Sequence, residues 1–341
     1  MNSSTKPRIS VVIPSYNQGA YIEHTILSVL HQDFGDWELI IQDSCSKDQT
    51  EDVCRHYAAL DPRIRFYSEK DKGFADAVNR GLERANGTYA CIQSSDDYFS
   101  SPTVFREVLE LFDQHNTAYV VSGLHIFVDQ ENRQVHCPPP YPDPKPGYVA
   151  PLSVFSLQNH FPQSSTFFRM DRARTAGPLR LDVDMVADTD FWIRMAVTRP
   201  MHSTGIFRTD KVWSCVLLHP DQRSASQGPF YLGRAKMYRD FIQQDKLEPT
   251  SEEKSRCFRA NLIDALDYFL SQGIDPAPLA ELHRSVTGTS LSLSWRVKSR
   301  LFRLPILRKI WYKRLPDRSS LKLLNYPRGE RYDWFSNHRS F

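Results

Sequence analysis

The sequence predicts an α/β fold, a mostly parallel central sheet with helices on both faces, followed by a helical C-terminal extension. Two observations carry this reading. Through the first hundred residues, short apolar runs alternate with segments whose apolar residues recur at helical spacing, the pattern of βαβ units with right-handed crossovers. The residues that end these runs are polar, and the carboxyl ends of the strands are where an open α/β sheet binds ligands. At 341 residues the chain can bury a full core and still build a second, smaller domain.

Ile9-Ser-Val-Val-Ile13 reads as a central parallel strand, closed by the turn Pro14-Ser-Tyr-Asn-Gln-Gly19. Tyr21, Ile22, Ile26, Val29 and Leu30 mark the first helix, and Trp37–Gln42 the second strand, ending on Asp43 and Ser44. Asp48 or Thr50 can cap a second helix with Val53, Tyr57 and Leu60 on its buried face. Ile64–Tyr67 is the third strand, Phe74–Ala85 the third helix and Tyr89–Gln93 the fourth strand. A helix from Pro102 to His115 and strands at Ala118–Val128, Gln163–Phe168 and Val212–Leu218 follow. Between Cys137 and Pro151, seven prolines argue for an extended loop.

The fourth strand stops on two adjacent carboxylates, Asp96 and Asp97. Neighbouring acids repel unless a cation or a hydrogen-bonding ligand lies between them, and the matching cation is hard and divalent, Mg²⁺ or Mn²⁺. The competing reading makes Asp96 a helix N-cap, a role open equally to Ser100 or Ser101 before Pro102. A second acidic pair, Asp188 and Asp190, stands at the start of a helical pattern that runs through Phe191, Arg194 and Met195. Asp188 suits either an N-cap or a general base, since a carboxylate at a helix start is held still and aimed outward. His219 follows the last strand.

Other chemistries are disfavoured. No G-x-G-x-x-G follows the first strand and no G-x-x-x-x-G-K-[ST] occurs anywhere, which argues against dinucleotide-dependent redox chemistry and a P-loop. A formal net charge of +3 does not suggest nucleic-acid binding. The six cysteines lack metal spacing and read as reduced thiols. No secretion signal and no run of about eighteen apolar residues is visible, so a cytoplasmic location is expected.

Taken together, the motifs resemble the inverting glycosyltransferases of family 2, which have the GT-A fold. The matching stretches are Ser10–Asn17, Asp43–Thr50, Asp71–Gly73 with Asp76–Gly81, Ser95-Asp-Asp97 and Ala187–Arg194, all in the family's order and spanning roughly residues 8 to 226. The resemblance implies a catalytic domain over 1–228, its nucleotide-sugar half about 1–100 and its acceptor half about 101–228, and a helical region over 229–341. It further implies that Pro14, Tyr16, Asn17 and Asp43 hold the nucleotide base and that Asp76 lies close to the ribose. Asp96 would face the ribose or the metal, Asp97 would ligate the divalent ion, His219 would add a metal or diphosphate contact, and Asp188 would be the base. The donor would be a nucleoside-diphosphate sugar, UDP by family habit. Ser44 stands where the family usually has glycine, which would strain a backbone needing positive φ. The Q-x-x-R-W element of processive synthases is absent, so one sugar per encounter is expected. A competing class is a module that holds a nucleotide sugar without turning it over, or a subunit that lends only a scaffold.

The C-terminal region carries an apolar stripe at Phe258, Leu262, Ala265, Leu266 and Phe269. Beyond it, Ser294–Leu315 mixes Lys and Arg with Trp295, Phe302, Trp311 and Tyr312 and contains no acid after Ser294. That composition suits peripheral contact with an anionic membrane, and with it a saccharide or lipid-linked saccharide acceptor at the cytoplasmic face. The alternative is a helix packed on the protein with its basic side solvated.

Overall fold

The computed structural model describes residues 6–135, 145–149, 161–197, 205–223, 227–243, 258–259, 262–263, 265–266, 268–270, 274–288 and 328–331. The basic segment 294–315 lies outside these residues, as does most of the Pro-rich stretch 137–151. Contacts divide the chain into two compact units, Met1–His219 with Leu323–Phe341, and Pro220–Lys322. The structure thus divides the chain earlier than the boundary at 228 expected from sequence.

In the first unit, β1 (Ile9–Ser15), α1 (Ile22–Leu30), β2 (Trp37–Asp43), α2 (Thr50–Leu60), β3 (Ile64–Ser68), α3 (Phe74–Arg84) and β4 (Tyr89–Ile92) follow the predicted alternation. They form a parallel sheet in the order β3-β2-β1-β4, with Val12 beside Ile40 on one side and Ile92 on the other. Every residue of β1, β2 and β4 is buried, which is why these strands read as continuous apolar runs rather than as an alternation.

Beyond β4 come β5 (Tyr98–Phe99), α4 (Val104–Gln114), β6 (Val120–Val128), β7 (Arg133–Val135) and β8 (Gly147–Tyr148). They are followed by β9 (Thr166–Arg169), α5 (Met170–Ala176), α6 (Ala187–Val197), β10 (Ile206–Leu217) and β11 (Arg328–Arg331). Strand β9 inserts antiparallel between β4 and β6, and β10 runs parallel to β6. The core joins Ile9, Val11 and Ile13 of β1 to Ile22 and Ile26 of α1 and to Phe105, Val108 and Phe112 of α4.

Three expectations change. Gln163–Ser165 is a 3-10 turn, so the strand begins only at Thr166. The Pro-rich stretch contains the short strand β8, which pairs with β10 through Tyr148 and Phe207. The C-terminal region is not helical throughout, because β11 pairs antiparallel with β7.

The second unit holds α7 (Gln227–Gln243), α8 (Ala277–Thr287) and helical residues between 258 and 270. The predicted stripe of Phe258, Leu262, Ala265, Leu266 and Phe269 is buried. Among the described residues no helix is long and apolar enough to cross a membrane.

Candidate active site

The loops that leave β1 and β2 at their carboxyl ends are tied together residue by residue. The backbone N–H of Asn17 donates to Ser46 Oγ at 2.8 Å, that of Gln18 to Thr50 Oγ1 at 2.8 Å, and that of Gly19 to Asp48 Oδ2 at 2.8 Å. In return, Asn17 Oδ1 accepts the N–H of Lys47 at 2.8 Å. Asp48 also accepts the N–H of Thr50 at 3.0 Å, which satisfies one of the free donors at the start of α2. Burial alone would raise the Asp48 carboxyl, but the hydrogen bonds from Thr50 and Gly19 outweigh it and hold the group below its usual range.

On this frame Tyr16 stands 58% exposed, an aromatic face held out from the rim of the sheet. Asn17 is exposed beside it, whereas Pro14 is buried within β1. Asp43 is fully buried; its carboxylate accepts the N–H of Ser46 at 2.9 Å and the hydroxyls of Ser46 and Ser68. It builds the loop from beneath. The strain expected at Ser44 falls elsewhere: the left-handed residues here are Asn17 (φ 53°) and Cys45 (φ 55°), while Ser44 donates its N–H to Ser15 O at 2.9 Å.

The acidic pair lies just past the end of β4. Asp97 is buried, its Oδ2 bonded by the Ser164 hydroxyl at 2.8 Å and its Oδ1 by the N–H of Leu217 at 3.3 Å. Burial and then the charge of Asp96 push the Asp97 carboxyl up to about 8. Asp96 is partly exposed and its Oδ2 is 2.9 Å from Nε2 of the buried His219, whose ring lies 4.1 Å from that of Tyr21. With Asp96 ionised, Nε2 carries the proton and Nδ1 the lone pair, and Nδ1 is buried with no partner among the described residues. Asp96 and Asp97 thus form an acidic pair whose partly exposed member is bonded to a buried imidazole.

This set fits a divalent ion of the magnesium type, which takes one or two protein carboxylates and completes its shell with phosphate and water oxygens. Among the described residues no group of three or more His, Cys, Asp or Glu is placed to hold a metal ion by itself, so substrate phosphate and water oxygens would have to supply most of its shell. Ser164 was not singled out by sequence; its signal was the polar run Gln163-Ser-Ser-Thr166 ahead of two phenylalanines.

The second acidic pair separates into two roles. Asp188 is the second residue of α6 and half-buried, with the Thr189 hydroxyl at 3.4 Å. Asp190 is fully buried and binds Arg194 Nε at 2.7 Å and Arg180 at 3.4 Å. Burial raises the Asp190 carboxyl, and the two guanidinium groups act against that shift. Arg194 also donates to the carbonyls of Ala176, Gly177 and Pro178, so Asp190 and Arg194 together hold the turn that leads toward α6. Asp76, in the first turn of α3, accepts from Arg80 at 2.9 Å and from the N–H of Lys72 at 3.0 Å.

Comparison with known proteins agrees with this geometry. Residues 10–174 match the Glycosyl transferase family 2 profile. TuaG of Bacillus subtilis, named for teichuronic acid biosynthesis, is 37% identical over 137 residues, 39% of this chain and 54% of TuaG. The chain thus spans about half the length of that relative. A PGL/p-HBAD biosynthesis glycosyltransferase of Mycobacterium bovis is 28% identical over 202 residues, 58% of this chain and 74% of the relative.

Among solved structures, residues 1–349 of S. aureus TarS with UDP-GlcNAc superpose with a TM-score of 0.60 at 15% identity, over 95% of this chain and 99% of that one. The Pyrobaculum calidifontis mannosyltransferase PcManGT, solved with GDP-Man and Mn²⁺, gives 0.56 at 17% identity, over 91% and 89%. At such identities the likeness speaks for the fold alone. Residues 10–174, just under half of the chain, are thus similar to glycosyltransferase family 2, and the solved neighbours share the GT-A fold.

Proposed function

We propose that this chain transfers one sugar from a nucleoside-diphosphate sugar, UDP-linked, to a hydroxyl of a saccharide or lipid-linked saccharide, with inversion, in assembly of a cell-surface glycan. The observation that carries the reading is the acidic pair Asp96 and Asp97 just past the carboxyl end of β4, with Asp96 bonded to the buried His219. Asp97 and Asp96, with His219, would hold Mn²⁺ or Mg²⁺, which when bound supplies positive charge to the departing diphosphate.

The remaining work falls to the chain's own side chains. Tyr16 offers a face for the base, with Asn17 beside it, and the buried Asp43 keeps that loop in shape. Asp76, next to the same rim, is near the ribose in this reading. Asp188 takes the proton of the attacking hydroxyl, a task that asks for position more than for a tuned pKa, since an ordinary carboxylate is ionised at neutral pH. Support for the acceptor class comes from the biosynthetic names of the relatives and from the basic aromatic stretch 294–315.

Calorimetry with UDP, GDP and dTDP, with and without Mn²⁺, tests the donor site. The expected result is Mn²⁺-dependent UDP binding that Asp97→Ala abolishes and Asp188→Asn spares, while Asp188→Asn lowers turnover about a thousandfold. No nucleotide bound under any metal would put the scaffold reading first. In the same preparation, Gln at Arg303, Arg308, Lys309, Lys313 and Arg314 should release the protein from anionic liposomes; unchanged co-sedimentation would remove the membrane arm.

A further inference from the structure

Helix α3 is bonded at two points to the segment that precedes Asp188. Asn79 grips the backbone of Leu179 with both ends of its amide: Oδ1 accepts the Leu179 N–H at 2.7 Å and Nδ2 donates to the Leu179 carbonyl at 2.9 Å. Asp184 reaches the N-terminus of the same helix, where Oδ1 accepts the N–H of Ala75 at 2.7 Å. The first bond is made at the N-terminal end of α3 and the second one turn further on, so the segment is fixed to α3 at two levels.

Gly73, which precedes the helix, has φ +121°, and a Cβ there would stand 3.1 Å from the Asp184 carboxylate. The backbone at that point is therefore shaped to admit an acid from more than a hundred residues away. Asp184 supplies in trans the oxygen that an N-cap side chain supplies locally, and α3 has no side-chain cap of its own.

The gripped segment is also the stem of the helix that carries the base. A 3-10 turn, Leu181–Val186, leaves helical geometry once, at Val183, and then runs into α6 through Ala187 at φ −64° and ψ −32°. Asp184 and Asp188 lie one helical turn apart beyond that kink, so a shift at the first is carried to the second. Helix α3 in turn follows the loop after β3, where the Asp71 N–H donates to Ser44 Oγ at 3.4 Å, next to the loop after β2.

We infer that Asn79 and Asp184 are positioning residues: through α3 they set the Asp188 carboxylate against the bound donor, and they touch neither donor nor acceptor themselves. This rests on Asp188 being the base. The prediction is a split between turnover and binding, because misplacement of a reacting group by about 1 Å costs on the order of a hundredfold in rate while leaving ground-state donor contacts intact.

The full chain is compared as wild type, Asn79→Ala, Asp184→Ala, Asp184→Asn and Asp188→Asn. Three readouts are taken: UDP affinity with Mn²⁺ by calorimetry, UDP release from the UDP-sugar that the wild type consumes fastest, and amide hydrogen exchange across 184–190. Asn79→Ala and Asp184→Ala should keep UDP affinity within about twofold, raise exchange over 184–190 about tenfold and lower kcat about a hundredfold with KM for the donor unchanged. Asp184→Asn, which retains an acceptor oxygen, should recover most of both effects. Unaltered exchange in both alanine variants would overturn the clamp whatever the turnover. Raised exchange with unaltered kcat would overturn the positioning role. Full turnover in Asp188→Asn would instead overturn the base assignment, and with it any role in positioning that base.

Discussion

The nucleotide rim and the stem of Asp188 are both built from irregular backbone, yet they are held in different ways. In the rim, residues 16–19 and 43–50 bond to each other across two adjacent parallel strands, mostly backbone N–H to short polar side chains. In the stem, residues 176–190 are held by Arg194 and Asn79 from the flanking helices and by Arg180 from within. The first arrangement spreads its stability over many small bonds. The second concentrates it in a few groups, among them the fully buried Asp190 and its two partly exposed arginines.

That difference can be broken by substitution, and the largest effect belongs to the stem. Asp190→Asn takes the charged acceptor from Arg194 and Arg180, and loss of hydrogen bonds to a charged group costs about 1.5–3 kcal/mol. Thermal unfolding should show that loss while UDP still binds to whatever fraction remains folded. A melting curve like that of the wild type would mean that the stem is as distributed as the rim.

A smaller effect is expected in the rim. Asp48→Ala removes acceptors for Gly19 and Thr50, and loss of such a cap costs about 1 kcal/mol, with a several-fold weaker affinity for UDP because Tyr16 is then less firmly placed. Calorimetry on this variant should show weaker binding and a nearly unchanged melting temperature. Equal losses in both would erase the contrast.

The smallest effect is in pH dependence. Because the folded protein holds the Asp48 carboxyl below its ordinary range, the stability it contributes is present in full above that range and is lost as pH falls through it, below about pH 4. Asp48→Asn should flatten part of this acid limb in denaturant titrations. An identical limb in the variant would show that other carboxylates carry it.

The same contrast explains what could be read in the sequence. Strands β1, β2 and β4 are buried throughout, so each appears as an apolar run, and the polar residues that end them announce the rim directly. The pairing of Asp96 with His219 could be anticipated only through the family pattern, since 123 residues separate the two. The Asp188 stem was legible as a helix start but not in its fastening. Asn79 and Asp184 look like any polar residues on a helical pattern, because the partner of each is a backbone group about a hundred residues away. Likewise, nothing local foretold that Ser164 would bond Asp97, or that the residues before β9 would form a 3-10 turn rather than extend the strand.

By itself the sequence determined the alternation of elements, the parallel sheet and the acids that end its strands, since periodicity and turn chemistry are properties of neighbouring residues. Tertiary structure alone decided which acids serve the fold and which face the site. Asp43, Asp184 and Asp190 are bonded to loops, a helix start and arginines, whereas Asp97 sits buried directly beside a second acid, Asp96, which is bonded to His219. The physical reason is that a carboxylate's role follows from its solvation and its partners, and both are fixed only when distant segments close around it.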